Sequence, residues 1–237
     1  GELELSAPRF LRFEKKRLDD LLRVGVPIAA ERIVLSSGQI LYMSVISALG
    51  TVAVSAHYLA TTAEGVCYNP VYGIAIAATT LVGQALGAGD ERRAEAEGRA
   101  CIHLCLAVMA VVSTGMYFGA EWLIRVFTSD AAVIEQGARA LRIVAWVETL
   151  FGAALTSSGA LRGAGDTVMP LWLGIFSMLG LRLGAAWLFV RELGLGLAGA
   201  WYAMDLDLGV RGTLLWLYFN SGRWKLKSRR LAARTGR

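Results

Sequence analysis

The feature that most constrains this chain is a series of long stretches without a charged side chain. No Asp, Glu, Lys or Arg occurs between Ile33 and Ala63, and residues 65–89 and 100–120 are equally uncharged. About 20 apolar residues are enough for a helix to cross the hydrocarbon core of a bilayer. Only 18% of the residues are charged, whereas a soluble domain usually has about 25%. The pattern therefore predicts an all-α, polytopic membrane protein rather than a soluble globule.

Glycine-rich and polar turns divide these stretches into six predicted transmembrane helices. Helix-forming residues dominate, and the alternation of apolar and polar residues that is typical of strands is absent. Turn residues cluster at 50–51, 87–90, 128–130, 163–166 and 194–196. The predicted helices are 24–48, 53–86, 95–120, 133–161, 168–190 and 195–220. They form a six-helix lobe at 24–220, between an amphipathic basic segment at 1–23 and a basic tail at 221–237.

The distribution of basic residues predicts how the lobe lies in the membrane. Most of the 24 lysines and arginines fall in residues 1–23, in the turns after the second and fourth helices, and in the tail. Basic residues accumulate in cytoplasmic loops, so we expect a cell membrane protein of the bacterial inner-membrane type with both termini cytoplasmic. The tail is expected to anchor on the lipid surface. No nucleic-acid-binding module accompanies it, so no nucleic acid partner is expected.

A short sequence recurs at the ends of the second and fourth predicted helices. Residues 85–90, Ala-Leu-Gly-Ala-Gly-Asp, return as residues 160–166, Ala-Leu-Arg-Gly-Ala-Gly-Asp, with one residue inserted. Glycine closes a helix in the left-handed conformation, and aspartate can cap the next helix. The recurrence predicts two similar hairpins, as in transporters with internal repeats. Intramembrane aspartyl proteases also use a Gly-x-Gly-Asp motif, but they need two facing carboxylates inside the membrane, and these aspartates fall in basic, water-facing turns.

Ionisable side chains within the apolar stretches are the candidate functional residues, because placing a charge in a bilayer is costly. Glu31, beside Arg32 in the first helix, is predicted either to bind a cation or proton or to pair with a neighbouring helix. Glu64 in the second helix shares a face with Tyr68 and Tyr72. A carboxylate flanked by aromatic rings suits a lipophilic cation. The alternative for this group is a packed aromatic stripe with Glu64 hydrogen-bonded across helices.

Further charged positions occur in the last three predicted helices. Glu148 is expected near the membrane midplane, in either a functional or a structural role. Asp207 and Arg211 are spaced i, i+4 and predict a structural ion pair. That pair leaves Asp205 as the candidate ion or substrate carboxylate of the sixth helix. Arg182 in the fifth helix is expected to snorkel to the interface or to pair with a neighbour.

Two patterns that contain histidine are assigned structural roles. His57 lies near the outer end of the second helix and is predicted as a surface group rather than a proton relay. Cys101, His103 and Cys105 resemble a metal-binding cluster, but on a helix His103 points away from the two cysteines and no fourth ligand is evident. No metal site is therefore expected. Nucleophile-elbow, Walker and dinucleotide-binding motifs are absent, so we expect neither an enzyme nor a resident cofactor.

Several segments together resemble the multidrug and toxic compound extrusion family. Residues 77–90, Ala-Ala-Thr-Thr-Leu-Val-Gly-Gln-Ala-Leu-Gly-Ala-Gly-Asp, are similar to the hallmark segment of that family. Supporting matches are residues 26–32, 49–57 and 158–167, and Gly199-Ala200-Trp201 followed by Asp207 and Arg211. The resemblance covers nearly the whole chain. It departs around Glu148, where a proline is often found, and this leaves the bend of the fourth helix open.

The resemblance implies one lobe of a secondary antiporter. Family members have two six-helix lobes that rock around a central cavity, and they export cationic drugs or metabolites in exchange for Na⁺ or H⁺. This chain is similar to the second lobe, so a missing N-terminal lobe or a second chain is the implied partner, in addition to the lipid bilayer. We expect the first, second, fourth and sixth helices to line the cavity. The expected binding residues are Glu31, Glu64, Tyr68, Tyr72, Glu148 and Asp205.

Two alternatives remain open for the function. A lipid-linked or polysaccharide flippase of the same superfamily would need a more cationic cavity for its anionic headgroups. The embedded acids match or slightly outnumber the embedded bases, which favours cationic cargo. The other alternative is a truncated remnant or assembly subunit that does not transport.

Overall fold

A computed structural model describes residues 15–235, except for the side chains of residues 15–21, 23, 24, 27, 31 and 230–235. Every regular element in this range is a helix, which confirms the predicted all-α class. The α-helices are α1 (Lys15–Ser47), α2 (Thr51–Gly87), α3 (Glu91–Arg125), α4 (Ala131–Ala145), α5 (Glu148–Gly163), α6 (Val168–Ile175), α7 (Leu183–Trp187), α8 (Gly196–Asn220) and α9 (Trp224–Thr235). Two π-helical segments, Phe176–Arg182 and Leu188–Glu192, flank α7.

The fourth predicted helix, 133–161, is two helices joined at a bend. α4 and α5 meet at Trp146 and Val147 and differ in direction by 58°. At this point the N–H groups of Trp146 and Val147 donate to carbonyls only three residues back, at 3.4 and 2.9 Å. This tightened turn interrupts the regular i to i−4 ladder. The bend therefore forms without a proline, and it places Glu148 in the first turn of α5.

The fifth predicted helix runs continuously from Val168 to Glu192 but changes its winding. Through Phe176–Arg182 it is π-helical, with one more residue in each hydrogen-bonded turn than an α-helix has. The wider turn shifts the faces of the residues that follow. Arg182, the last residue of this segment, is buried inside the lobe. A change of winding of this kind is frequent at functional sites.

The apolar length of the helices agrees with a membrane protein. Among the described residues, α2, α3 and the helix Val168–Glu192 are long and apolar enough to cross a membrane, and the bent pair α4–α5 adds a fourth candidate. By the same test of length and apolar composition, the described residues of α1 and α8 do not qualify. The apolar run of α8 contains Asp205, Asp207 and Arg211, so it needs polar partners within the lobe.

Close packing of α2 against α5 positions the centre of the lobe. A Cβ atom added at Gly159 would lie 2.3 Å from the carbonyl oxygen of Ala75, and one added at Gly163 would lie 2.3 Å from that of Thr79. The hydroxyl of Thr79 also donates to the carbonyl of Gly159 at 2.9 Å. Only glycine permits backbones to approach so closely. Side chains on the facing sides of these two helices are therefore brought into contact.

The recurring sequence forms the same turn at both of its positions. Gly89 has φ 78° and Gly165 has φ 79°. The N–H of Asp90 donates to the carbonyl of Ala85 at 2.9 Å, and the N–H of Asp166 donates to that of Leu161 at 2.8 Å. Both are the bonds of a helix closed by a left-handed glycine. The two turns are therefore alike, as the recurrence in the sequence indicates, and the likeness of the whole hairpins stays a prediction.

Helix α9 packs along the end of the lobe at which both turns lie. Three of its basic side chains bind acidic side chains of the same protein: Lys225 binds Glu95, Lys227 binds Asp166 at 3.0 Å, and Arg229 binds Glu91 through two hydrogen bonds of 2.6 and 2.7 Å. The tail and both turns therefore share one end of the lobe, in agreement with the predicted common side of the membrane. Lys225, Lys227 and Arg229, which were expected on lipid, therefore have partners within the protein.

Candidate functional site

The centre of the candidate site is a hydrogen-bonded cluster of two carboxyl groups and one phenol. The phenolic oxygen of Tyr68 lies 2.5 Å from Glu64 Oε1 and 2.9 Å from Glu148 Oε1. Glu64 is 5% exposed and Glu148 is fully buried. The two carboxyl groups therefore share one phenolic oxygen as a common neighbour. Three of the predicted site residues, from α2 and α5, are thus brought together.

The hydrogen-bond donors in this cluster are too few for two ionised carboxylates. A phenol carries one hydrogen, so Tyr68 can donate to only one of the two carboxyl groups. Two adjacent carboxylates in an apolar interior repel each other, and a buried charge without a partner is costly. Glu148 Oε2 is buried and has no hydrogen-bond partner among the described residues. The arrangement suits one exchangeable proton or small cation held between the two carboxyl groups.

Glu64 and Tyr68 also form part of the wall of a cavity of about 670 Å³. Tyr72 lies in the same wall and contacts Tyr68 edge to face, with the ring centroids 6.5 Å apart. The lining comes from α1, α2, α5 and α8, which belong to the four predicted spans, and in addition from the fifth helix. That helix contributes Pro170, Met178 and Arg182. The volume lies in the range of cavities that hold a drug-sized molecule.

The charge that faces the cavity differs from the charge counted along the sequence. Among the described lining residues the charged side chains are Glu64, Arg32, Arg162, Arg182 and Arg211. Glu148 and Asp207 are fully buried, and neither they nor Asp205 line the cavity. Counted along the sequence, the embedded acids match the embedded bases, and this favoured cationic cargo. In the described lining of the cavity, arginines outnumber acids.

Asp207 is bound mainly by Arg182, so the predicted pair of Asp207 with Arg211 is the weaker of two contacts. Nε and Nη2 of Arg182 both lie 2.7 Å from Asp207 Oδ2, whereas Arg211 lies 3.7 Å away. Arg182 also donates to Gln39 Oε1 at 3.3 Å and lies over the ring of Tyr42. The sequence indicated that Arg182 could pair with a neighbour. The sequence did not indicate which carboxylate Arg182 binds or which residues of α1 it contacts.

Two other predicted site residues lie outside the carboxyl cluster. The side chain of Glu31 is outside the described residues, which place only its backbone on α1. Asp205 on α8 is partly buried, and its Oδ1 atom is buried without a hydrogen-bond partner among the described residues. It is close enough to Glu64 and Arg182 for direct electrostatic interaction. Asp205 therefore borders the site without joining it.

His57 is buried, and its prediction as a surface group is wrong. Only 3% of the residue is exposed. Its ring meets those of Tyr42 and Trp201 edge to face, with centroids 5.8 and 5.5 Å apart. The error arises because position along α2 indicates depth in the membrane, whereas burial depends on the neighbouring helices, here α1 and α8.

The cysteine and histidine pattern on α3 forms no cluster. Cys101 and Cys105 are buried, whereas His103 is exposed on another face of the helix. Across the part of the chain that the structure describes, no three His, Cys, Asp or Glu side chains are grouped so that they could hold a metal ion.

Comparison with known sequences points to one family. A family model described as MatE matches residues 27–188. A probable multidrug resistance protein NorM of Thermotoga maritima is 34% identical over 209 residues, which is 88% of this chain and 45% of that protein. A protein of the same description from Xanthomonas campestris is 33% identical over 97% of this chain and 48% of its own length. The chain thus spans about half the length of these curated relatives.

Solved structures share the fold. A structure described as "Crystal structure of MATE in the bent conformation" superposes with a TM-score of 0.84 over 93% of this chain and 49% of its own, at 23% identity. A transporter of the MOP superfamily from Pyrococcus furiosus, described as having a binding pocket of reverse polarity, has a TM-score of 0.79 over 84% of this chain and 44% of its own, at 20% identity.

Proposed function

Because the chain belongs to the MatE family, the multidrug and toxic compound extrusion transporters, and corresponds to their C-terminal half, we propose that it forms one lobe of a secondary active exporter. The observation that carries the proposal is the contact of Glu64 and Glu148 with the single phenol of Tyr68. This cluster adjoins a cavity large enough for an organic substrate. Ion binding and substrate binding are then coupled because Glu64 belongs to both.

The coupling ion would supply the positive charge that the two carboxylates of the cluster lack. One proton would let the protonated carboxyl group donate to the phenolic oxygen while Tyr68 donates to the other carboxylate, and no side chain would have to move. Na⁺ would cancel one of the two carboxylate charges, as a proton does, but the phenol would have to turn a lone pair toward it. The short contacts between oxygens favour H⁺, with Na⁺ as the alternative. Loss of the ion would leave two adjacent charges, which biases the lobe toward another arrangement.

The organic substrate has two candidate classes. Relatives named for multidrug resistance, together with Glu64 beside the rings of Tyr68 and Tyr72, support a cationic drug or metabolite. The arginines in the lining favour the second class, an anionic headgroup as in a lipid-linked or polysaccharide flippase. For either class the protein would lie in the cell membrane with its termini in the cytoplasm and would pair with an N-terminal lobe.

Transport by reconstituted protein tests the proposal. The 237-residue chain is placed in liposomes with and without an added N-terminal lobe of a MatE relative, and an enclosed pH dye and a fluorescent organic cation or anion follow exchange under an H⁺ or Na⁺ gradient. We expect gradient-driven exchange only with both lobes. Glu64→Gln and Glu148→Gln should abolish it, whereas Glu135→Gln, at an exposed carboxylate, should not.

The outcomes separate the competing functions. Exchange that persists in both glutamine variants would remove the carboxyl cluster from the mechanism. Silence with both lobes present, in vesicles that contain correctly folded protein, would favour a remnant without transport activity.

A further inference from the structure

A second cavity opens at the end of the lobe where α2 and α8 begin, opposite the recurring turns. This end pocket has a volume of about 390 Å³, and its wall includes Leu49, Ala53, Ala132 and Leu197. Glu135 and Arg139, both exposed, lie in the same wall, so water reaches the pocket. With the termini in the cytoplasm, as proposed, the end pocket faces the opposite side of the membrane.

Three aromatic side chains from three helices lie between the end pocket and the central cavity of about 670 Å³. They are Tyr42 of α1, His57 of α2 and Trp201 of α8, and at most 3% of each is exposed. The imidazole meets both other rings edge to face. We call these three residues the ring layer.

The register of α2 and α8 places the ring layer between the two cavities. On α2, Ala53 lines the end pocket and Thr61 lines the central cavity, and the imidazole is one helical turn from each. On α8, Leu197 and Met204 line the same two cavities, about one turn on either side of the indole. The stretch of α2 between the cavities is therefore only about 12 Å long.

Buried polar atoms without a partner mark a path through this layer. His57 Nδ1, Trp201 Nε1 and Asp205 Oδ1 are buried and have no hydrogen-bond partner among the described residues. Asp205 follows the indole by one turn of α8, and it is close enough to Glu64 for direct electrostatic interaction. Polar atoms in a protein interior are almost always bonded to protein or to water, so these atoms suit a short file of internal water that leads to the carboxyl cluster.

Of the three rings, only the imidazole can pass a proton on. The hydroxyl of Tyr42 donates its hydrogen to the carbonyl of Ala200 at 2.7 Å, and an indole can only donate. A neutral imidazole has one N–H and one free nitrogen, so it can accept a proton on one side of the ring and release one from the other.

Arg182 of the fifth helix acts on this imidazole. It lies over the ring of Tyr42 and is close enough to His57 for electrostatic interaction, and Asp207 binds its guanidinium at 2.7 Å. A lasting positive charge on a buried imidazole beside a guanidinium is costly. The imidazole is therefore suited to the transfer of a proton rather than to its storage.

We propose that His57 relays protons between the end pocket and the carboxyl cluster, with Asp205 as the next acceptor, so that the coupling proton and the organic substrate follow different routes. The inference rests on the proposed function, because it adds a proton route to the same site. Water in the end pocket gives a proton to the free nitrogen of the imidazole, whose other nitrogen releases its proton through water to the Asp205 carboxylate. Asp205 then passes that proton to Glu64. One N–H bond forms as another breaks, so the imidazole ends neutral and one proton has moved to the cluster.

Hydrogen exchange at the ring tests the route without transport. The 237-residue chain has two histidines; it is labelled with heavy nitrogen in its histidine rings and tryptophan indoles, placed in nanodiscs and moved into deuterated water. His103→Gln leaves a single histidine and so assigns the NMR signals of His57. We expect the ring N–H of His57 to exchange about tenfold or more faster than the indole N–H of Trp224, which is fully buried and bonded to a carbonyl. Equal protection of the two groups would overturn the proposal.

Narrowing the end pocket tests where the protons enter. Ala132→Trp, at an exposed position in the pocket wall, should slow exchange at His57 about fivefold or more. Ala131→Trp, at the exposed neighbour outside that wall, should leave the exchange rate unchanged. Equal rates in the unmodified chain and in Ala132→Trp would mean that protons arrive from the central cavity, and this would overturn the proposal.

Transport by the two-lobed protein tests whether the route carries the coupling proton. His57→Gln and Asp205→Asn should each slow proton exchange about tenfold or more and leave the affinity for the fluorescent substrate unchanged. His103→Gln, at the exposed histidine of α3, should have no effect. Imidazole in the buffer should restore exchange in His57→Ala, whereas pyrazole, which has the same size but is a much weaker base, should not.

This inference and the proposed function fail separately. Exchange that is undiminished in His57→Gln but lost in Glu64→Gln would overturn the proton route and leave the proposed function intact. Equal rescue by imidazole and pyrazole would assign His57 a packing role and would also overturn the route. If the unmodified two-lobed protein shows no exchange, the proposed function is contradicted, and hydrogen exchange at His57 in the single lobe still decides whether the route exists. That measurement needs no substitution at the buried ring, so a variant that fails to fold does not affect it.

Discussion

Tyr68 and Glu148 are eighty residues apart in the sequence, and a hydrogen bond of 2.9 Å joins the phenol of one to the carboxyl group of the other. The same phenolic oxygen contacts Glu64 one helical turn away. The bond links α2 to the first turn of α5, directly after the bend at Trp146 and Val147. Tyr68 is therefore the residue that makes one site out of two carboxylates.

Replacing Tyr68 by Phe should destabilise the lobe while keeping the ring contacts. Loss of the hydroxyl leaves two buried carboxyl groups without their shared partner, and we expect a loss of about 1–3 kcal/mol in the free energy of unfolding, measured by denaturant titration in detergent micelles. Tyr72→Phe, at a half-exposed ring of the same cavity, is the matched control. A double-mutant cycle with Glu148→Gln should be non-additive; strictly additive losses would contradict the shared hydrogen bond.

Removing the partners of Asp207 one at a time should show which of them contributes more to the stability of the protein. Arg182→Gln leaves a fully buried carboxylate without its 2.7 Å contacts, and we expect a loss of about 3–5 kcal/mol in stability. Arg211→Gln removes the 3.7 Å contact with Asp207 but leaves both 2.7 Å contacts from Arg182 in place, so the loss of stability that comes from Asp207 should be clearly smaller. Thermal unfolding of both variants in one detergent gives the comparison. A larger loss for Arg211 would restore the i, i+4 pair as the main interaction.

The two copies of the recurring sequence should respond differently to the same substitution. Gly163 and Gly87 occupy equivalent positions, but a Cβ at Gly163 would lie 2.3 Å from the carbonyl oxygen of Thr79, whereas nothing lies within 4 Å of one at Gly87. We expect Gly163→Ala to destabilise the protein by about 1–3 kcal/mol through forced separation of α2 and α5. Gly87→Ala should be close to neutral in the same unfolding assay. Equal effects would show that the tight packing of α2 on α5 is not limiting.

The attachment of α9 should depend on an aromatic side chain more than on its ion pairs. Trp224 is fully buried, stacks on Phe219 with centroids 5.4 Å apart and donates Nε1–H to the carbonyl of Phe219 at 3.0 Å. Trp224→Ala should cost about 3 kcal/mol or more and expose the tail to protease. Arg229→Gln removes an exposed ion pair and should leave the free energy of unfolding almost unchanged.

Trp172→Ala, at a tryptophan that is 62% exposed, controls for loss of an aromatic side chain at the lobe surface. If Arg229→Gln releases the tail as readily as Trp224→Ala does, the attachment is ionic rather than apolar.

The sequence predicted the helices well where the signal is local. The ends of α2 and α5 at Gly87 and Gly163 follow from glycine and aspartate residues that close a turn, and the structure has the same turn at both. The bend at Trp146 was left open, because neither residue of the tightened turn is a helix breaker. The π-helical winding before Arg182 has no equivalent in the apolar pattern, so nothing in the sequence indicated which way that arginine faces.

The candidate site was predicted in part. Glu64 and Tyr68 are one helical turn apart, so their contact follows from helix geometry alone. Glu148 was predicted near the membrane midplane and among the binding residues, but without a named partner. Its contact with Tyr68 depends on how α5 crosses α2. His57 was wrongly assigned to the surface, because the sequence does not show which helices cover it. The rings that bury it belong to α1 and α8.

The sequence by itself determined that this protein is a set of long apolar helices with like turns at one end, because bilayer length and glycine conformation act on short stretches of chain. Only the tertiary structure decided which charges meet and which face the cavity. Hydrogen bonds and ion pairs act over about 3 Å, so which charges meet depends on the bend at Trp146, the winding before Arg182 and the close packing of α5 on α2. Of the acids counted along the chain, Glu64 and Glu148 meet in a buried cluster. Four arginines lie in the wall of the adjoining cavity.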